Sequence, residues 1–540
     1  MMTTADVLHL LAVLLVVAGL FSWVESRIDR GQWLVNTLIV VALIAYVQLV
    51  IAPLPPEPIP PEPPIAGDFG GYRPHFQGFG ATTRGGRGGP VCTVDMLAID
   101  GSNTFGALGD LQDCVAPRPG CDGTWPTCAR TAVFAVSGTA SGTGQISITS
   151  PYLTIAGQTS PRGDEGDGDP GVGGFTLDGA RLLVDTHDVV VQHLRVRRPP
   201  PAFNACSIGD AGDGGDNSHV HHVVFDHVTC SWATEVNNFL QAGPGSTEVL
   251  LADSLIYEGL WPNAWGGIGA GVGGDATIVR NVFAHHWSRQ PIWGSLSRLI
   301  VANNVTYNGT NSSSGSDTLP AHYGDADGEG NAPGLTEAMI LHNVIVPGPD
   351  SGAVGAILGF SKKQGSIDAG SRTFLEGNSG PGISSASGDG QWAATVCTGS
   401  YGTYPNAATC GPGSNVRTNT PFPWWTAFNM ATLTGAAVRD VVLGNAGARP
   451  LERDAADARV IADVTQGDGT HYLDWNIVQS RYGGMPPIAR RLRVVVLPAN
   501  PTGAGSRTLS DGSKNTVLED WLETDPQFGA QRLERRPTGT

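Results

Sequence analysis

One short phrase, written six times, constrains this chain more than any other feature. From about residue 180, a β-branched or aliphatic run is followed by a polar residue and a second apolar run: VVVQHLRV, VVFDHVTC, VLLADSLIY, TIVRNVFAH, LIVANNVTY and MILHNVIV. Taking the polar residue before the second run as the marker gives His193, His227, Ser254, Asn281, Asn304 and Asn343, separated by 34, 27, 27, 23 and 39 residues. Strands this short, recurring at that interval with glycine-rich loops of variable length, predict a parallel β-solenoid in which each rung covers the next. Stacked asparagines at equivalent turns would hydrogen-bond along the axis, which gives Asn281, Asn304 and Asn343 a structural role. A β-sandwich is the competing fold. It would need tight hairpin signals, and NG or DG between matched strands is uncommon here.

Composition agrees with a turn-rich fold: 74 Gly and 38 Pro stand against only 15% charged residues in a chain of 540. The formal net charge of -17 disfavours nonspecific binding to nucleic acid, so no nucleic-acid partner is expected.

Two apolar segments, residues 7–24 and 34–52, flank the loop ESRIDRGQW, and each approaches the ~20 residues that span a bilayer. They predict a two-helix transmembrane hairpin over residues 1–52 in preference to a cleaved signal peptide, because MMTTAD has no positive charge. Arg27 and Arg30 lie between the spans and place that loop in the cytoplasm, so both ends face outward. The expected localisation is therefore the membrane, with the C-terminal domain extracellular or periplasmic. Residues 53–68, containing PLPPEPIPPEPP, form a polyproline spacer. All eight cysteines lie beyond it, which suits disulfides in an oxidising compartment. The local options are Cys397 with Cys410 and a pair among Cys114, Cys121 and Cys128. Residues 69–435 are assigned to the solenoid, and 436–540 to a C-terminal capping region that begins with a helix or layer over the last rungs.

The phrases GFGATTRGGRGG, RTAVFAVSGT, LTIAGQTSP, VVVQHLRVR, FDHVTCSWAT, IYEGL, FAHHWSRQP and VLGNAGARPLERDAADARVI occur in this order. Together they resemble the bacterial pectate lyase family. That resemblance implies an all-β fold, the right-handed parallel β-helix, and an extracytoplasmic polysaccharide lyase that cleaves a uronate polymer by calcium-assisted β-elimination. A base removes the C5 proton beside the uronate carboxylate and the 4-linked oxygen leaves. The implied partners are an anionic polysaccharide and, through the N-terminal helices, a lipid bilayer.

By the same resemblance Arg289, in Ser288-Arg289-Gln290-Pro291, takes the position of the catalytic arginine. Asn204 and Glu235 take positions near the calcium site, and His285 matches the histidine of the phrase FAH, packing or orienting the neighbouring arginine or contacting substrate. Trp265 and Trp293, clustered in sequence with Trp261 and Trp287, are candidates for stacking on sugar rings. The chain departs from the family in three places. Gly294 falls where a second basic residue is usual, with Arg298 as the nearest replacement; Asn204 replaces an acidic residue; and Val236 removes a carboxylate beside Glu235. A site with fewer charges binds calcium more weakly. A noncatalytic glycan-binding β-helix, or a β-helical glycoside hydrolase with two opposed carboxylates, are the other functional classes. Asp226 and His227 are expected to make a structural hydrogen bond. The acidic runs around Asp210, Asp213 and Asp216 and around Asp325, Asp327 and Glu329 are expected to be solvated loops.

Overall fold

The computed structural model describes residues 76–99, 104–163, 171–201, 204–209, 218–234, 236–239, 247–260, 271–272, 274–286, 290–293, 298–309, 321–324, 336–351, 358–362, 371–399, 402–405, 416–428, 430, 432–471, 473–495, 497–508 and 514–524. The chain separates into the units Met1–Ala66 and Gly67–Thr540, and every described residue belongs to the second. The two apolar N-terminal segments, the proline-rich spacer and both acidic runs lie outside the described residues. Among the described residues no helix is long and apolar enough to cross a membrane.

Each copy of the repeated phrase folds as two strands joined by a single bend. The first half of each phrase joins an eleven-stranded sheet that includes Val189–Gln192, His221–Asp226, Thr247–Ala252, Ala276–Val279, Arg298–Ala302 and Glu337–Leu341, stacked in that order. The second half joins a second sheet with Leu194–Arg197, Thr229–Ser231, Leu255–Tyr257, Val282–Ala284, Val305–Tyr307 and Val344–Val346 in the same succession. Every pairing among these strands is parallel and links one rung to the next, so the fold is a parallel β-helix. A third strand completes each rung. Asn204–Ile208 and Val236–Phe239 do so for two successive rungs, followed by Gly271–Val272, Ile292–Trp293, Ala321–Gly324 and Leu358–Lys362.

The valine-rich runs are continuous because both faces of the first sheet are covered. Val189, Val191, Val223, Phe225, Val249 and Leu251 point into the interior of the solenoid. The alternate residues Val190, Val224, Leu250 and Ala252 pack outside it, against Phe79 and the aromatic segment containing Phe422 and Trp424. The outer face of the second sheet is covered by the C-terminal helices Ala437–Asn445, Ala455–Gln466 and Trp475–Tyr482, which pack on Trp232, Tyr257, Val282 and Tyr307. The expected C-terminal helix thus lies along the flank of many rungs. At the N-terminal end the short helix Leu111–Val115 does close the stack, with Leu111 and Val115 in the core and a capping box between Asp110 and Asp113.

The bend between the first two strands has two distinct positions. Its first residue is left-handed at His193, His227, Asp253, Arg280, Asn303 and His342, with φ between 48° and 57°. The residue after it points inward: Ser254, Asn281, Asn304, Asn343 and Asn378 form the ladder. Asn281 N donates to Asn304 Oδ1 (2.9 Å), Asn304 N to Asn343 Oδ1 (2.9 Å) and Asn343 N to Asn378 Oδ1 (3.0 Å). The expected stack of Asn281, Asn304 and Asn343 is present, but His193 and His227 do not belong to it. Strand register places Leu194 and Val228 at the ladder position, where Val228 N donates to Ser254 Oγ, and moves both histidines to the left-handed position. Those two rungs carry no polar side chain at the inward site, so the nearest polar residue in sequence falls one place early.

Three disulfides form, Cys92–Cys114, Cys121–Cys128 and Cys206–Cys230. Cys121 with Cys128 is one of the local pairs anticipated. Cys114 instead secures the capping helix to the strand Val91–Val94, and Cys206 with Cys230 joins two rungs within the core. The pairing of Cys397 with Cys410 lies outside the described residues.

Candidate active site

In sequence, the candidate catalytic positions fall where the second strand leads to the third, on the first, second and fourth of four successive rungs. Asn204 begins the third strand of one rung, Glu235 immediately precedes that of the next, and Arg289 lies in the connection leading to Ile292–Trp293 two rungs later. The register pairs Asn204 directly with Val236. Glu235, Arg289 and Trp265 themselves, and the side chain of Trp293, lie outside the described residues.

Both ends of the segment containing Arg289 are fixed by buried groups. His286 is fully buried; its Nδ1 accepts from Gly259 N (3.3 Å) and its Nε2 donates to Ile256 O (3.1 Å). Burial pushes the His286 imidazolium down to about 3, and the neighbouring His285 and His471 act in the same direction. The ring is therefore neutral and can accept at one nitrogen while donating at the other. Gln290, also buried, donates from Nε2 to His286 O (2.9 Å), and its own carbonyl accepts from Thr306 Oγ1 (3.1 Å). The bond from Gln290 to Pro291 is cis.

His285 is buried and turned toward the C-terminal helices, with Nδ1 3.1 Å from Asn308 Nδ2 and Nε2 3.2 Å from Asp463 Oδ2. This geometry corrects the expected substrate contact: no part of the ring is open to a saccharide, and its place is in the packing beside the Arg289 segment. Arg298 is half-exposed but already paired. It donates from Nε to Asp275 Oδ2 (3.0 Å) and its guanidinium lies 5.1 Å from the centre of the Phe79 ring. The hydrogen bond to Asp275 raises its pKa. Arg298 begins a strand of the first sheet, whereas Ile292–Trp293 belongs to the third strand of the preceding rung.

Asn204 offers an unusual oxygen. Its side-chain Oδ1 is buried and has no hydrogen-bond partner, while its backbone carbonyl accepts from Arg198 Nη1 (2.6 Å). A buried acceptor without a partner costs about 1–3 kcal/mol unless something else satisfies it. A hard cation is one such partner, so this oxygen fits the expected calcium ligand, whereas Val236 beside it has nothing to contribute. Nearby, Arg181 donates from Nε to Ser207 Oγ (3.0 Å), a basic residue that was not singled out in the sequence.

The pair Asp226 and His227 forms the anticipated local hydrogen bond, Asp226 Oδ1 lying 2.7 Å from His227 Nδ1, and Gln192 Nε2 donates to the other carboxylate oxygen at 2.8 Å.

A probable pectate lyase C of Emericella nidulans is 30% identical over 240 residues, which cover 44% of this chain and 47% of that protein. One from Aspergillus flavus is 29% identical over 281 residues, covering 52% and 55%. The chain is similar to these pectate lyases. It spans about half the length of these curated pectate lyase relatives. They are fungal, so the narrower resemblance to bacterial members is not supported. No protein-family model matches the chain. Among solved structures, a pectate lyase from Bacillus sp. N165 in complex with trigalacturonate is 13% identical with a TM-score of 0.36, over 69% of this chain and 98% of that one. The major allergen of cedar pollen is 15% identical with a TM-score of 0.31, over 69% and 92%. Overlays at these scores carry no argument, and the parallel topology stands on the strand pairings themselves.

Proposed function

We propose that this pectate lyase relative is a polysaccharide lyase that cleaves a uronate polymer such as pectate by β-elimination. What supports this reading is the run of motifs that resembles pectate lyases, with Asn204, Glu235 and Arg289 at the matching sequence positions, together with the likeness to curated pectate lyases. A water molecule acting as base takes the C5 proton, negative charge builds on the C6 carboxylate, and that charge then flows into the new C4–C5 double bond as the C4–O4 bond breaks and O4 takes up a proton.

Arg289 would supply a donor fork to that charge. A guanidinium keeps its proton up to a pKa above ~12, so it acts as a cation throughout the neutral range unless its site disfavours charge strongly. Asn204 Oδ1 and the Glu235 carboxylate would hold calcium, which supplies neutralisation of the substrate carboxylate. With Val236 and Asn204 in place of carboxylates, the chain's own contribution to that site is one formal charge from Glu235. We further propose that residues 7–24 and 34–52 anchor the protein in a membrane, with the lyase domain outside the cytoplasm.

The test is an assay of the protein on polygalacturonate and other uronans, with calcium and with a chelator. Unsaturated products absorbing in the near ultraviolet are expected, with a loss of about a hundred- to a thousandfold in rate for Arg289→Ala, the scale of removing a key charge-stabilising donor. Absence of such products on every uronan would reject the lyase reading. Release of saturated ends would assign the site to a glycoside hydrolase instead.

A further inference from the structure

A cluster of histidines stands outside the candidate active site, at the entrance to the first sheet. His187 and Asp188 lie just before the strand Val189–Gln192, and His221 opens the next strand, His221–Asp226. The imidazoles of His187 and His221 stack at 4.6 Å with only 10° between their planes. His187 Nδ1 is 3.0 Å from Asp188 Oδ2, and one ligand atom from each of His187, Asp188 and His221 lies within 4.8 Å of the other two.

We propose that His187, Asp188 and His221 bind a divalent transition-metal ion of the zinc class. Two imidazole nitrogens and one carboxylate oxygen form a donor set suited to such an ion and unsuited to calcium, which takes six to eight oxygens. Zinc bonds of about 2.0–2.1 Å in a tetrahedron separate neighbouring ligand atoms by roughly 3.3 Å. The 3.0 Å between His187 Nδ1 and Asp188 Oδ2 is close to that spacing, and the His221 nitrogen, within 4.8 Å of both, closes on the ion when the two stacked rings turn toward it.

The surroundings supply the remaining requirements of such a site. Asp188 Oδ1 accepts from Arg84 N (3.0 Å), which holds its other oxygen toward His187. His221 Nδ1 lies 2.8 Å from His222 Nδ1, and His222 Nε2 is 2.7 Å from Glu248 Oε2, so a hydrogen-bonded outer layer fixes the ring. The side chain of His187 remains partly exposed, which leaves an entry path and a fourth position for water. The backbone is also strained here: Tyr152, Asp188, His222 and Glu248, equivalent on four successive rungs, are all left-handed at φ 53–60°. An ion bound by two rungs and steadied by the Arg84 loop would act as a clamp on the solenoid.

Metal-stripped protein titrated with zinc by calorimetry should take up one equivalent at this site and melt at a higher temperature when loaded. Cobalt in its place should give the intense visible bands of a tetrahedral centre. The double variant His187→Gln/His221→Gln should bind at least about a hundredfold more weakly and lose the cobalt spectrum. Asp188→Asn, which keeps an acceptor for Arg84 N, serves as a second variant if the double one does not fold, and should likewise weaken binding. No saturable zinc uptake, uptake unchanged in the folded variants, or displacement of zinc by equimolar calcium would each overturn the assignment.

Discussion

Arg197 and Asp454, 257 residues apart in sequence, meet at 2.7 Å with neither side chain exposed. Arg197 projects from the second sheet, and Asp454 caps the helix Ala455–Gln466 by accepting from Ala456 N and Asp457 N. Arg195 reaches the same carboxylate at 3.0 Å, while Asp457 is shared by Arg197, Tyr257 and Thr229. The network docks the helix on the solenoid and leaves charges that depend on one another. Removing one partner of a buried ion pair typically costs about 3–5 kcal/mol, because the other charge stays buried without compensation. Asp454→Asn is therefore expected to lower stability by that order, measured as a shift in urea midpoint. Wild-type midpoint retained in this variant would show that the network contributes nothing.

The same carboxylate predicts an acid limb. Burial alone would raise the Asp454 pKa, but Arg197 and Arg195 outweigh it and hold the group well below the usual carboxylate range. A carboxylate whose folded pKa lies below its unfolded value of about 3.9 stabilises the fold fully above that value, and the contribution disappears as pH falls below it. Stability of the wild type should drop below about pH 4 more steeply than that of Asp454→Asn, as read from denaturation curves at several pH values.

His286 acts in a higher pH window. Its folded pKa of about 3 lies below the unfolded value of about 6.5, so the unfolded chain binds the proton more readily across that interval. Stability linked to this residue is complete above about pH 6.5 and falls with acidification toward pH 3, by up to about 1.4 kcal/mol per pH unit. In His286→Gln the amide can accept from Gly259 N and donate to Ile256 O without titrating. Its stability should be flatter than wild type between pH 6.5 and 3, and parallel curves would rule out His286 as the titrating group.

The solenoid was legible because its repeat is carried by backbone-burying hydrophobic runs, each copy of which became two strands at the predicted place. The ladder was legible only where asparagine supplies the rung, since Leu194 and Val228 leave no polar mark at the same site. The third strands were hidden: Gly271–Val272 and Ile292–Trp293 are two residues each, too short for any periodicity. The Arg195 and Arg197 network was equally invisible, because charged residues in a strand read as exposed until a helix more than 250 residues away supplies their partners. For the candidate site, sequence singled out Asn204 and Arg289, but it could not tell that His285 is sealed in packing or that Arg298 is held by Asp275.

The ladder makes a stability prediction of its own. In Asn304→Ala, Asn281 N and Asn281 Nδ2 both lose the acceptor that now stands 2.9 and 3.0 Å away. Each buried donor left without a partner costs about 1–3 kcal/mol, so a loss of at least about 2 kcal/mol is expected. The urea midpoint should fall with little change in slope. A loss under about 0.5 kcal/mol would mean that water replaces the missing carbonyl.

Asn204 connects stability with function. Its Oδ1 is buried without a partner, and the register sets Val236 directly beside it, so the chain carries an unsatisfied oxygen where relatives are expected to carry charge. Replacing Asn204 with Asp adds a full negative charge to that oxygen. Without a cation the buried carboxylate faces a desolvation cost, which should make the stripped variant less stable than wild type. With calcium, the extra charge strengthens binding of a hard cation, and the variant should regain stability and reach half-maximal uronan cleavage at a lower calcium concentration. Calorimetric melts of the two proteins, with a chelator and with calcium, separate these effects from catalysis. A variant destabilised equally in both conditions would place the Asn204 oxygen in packing alone and remove it from the metal site.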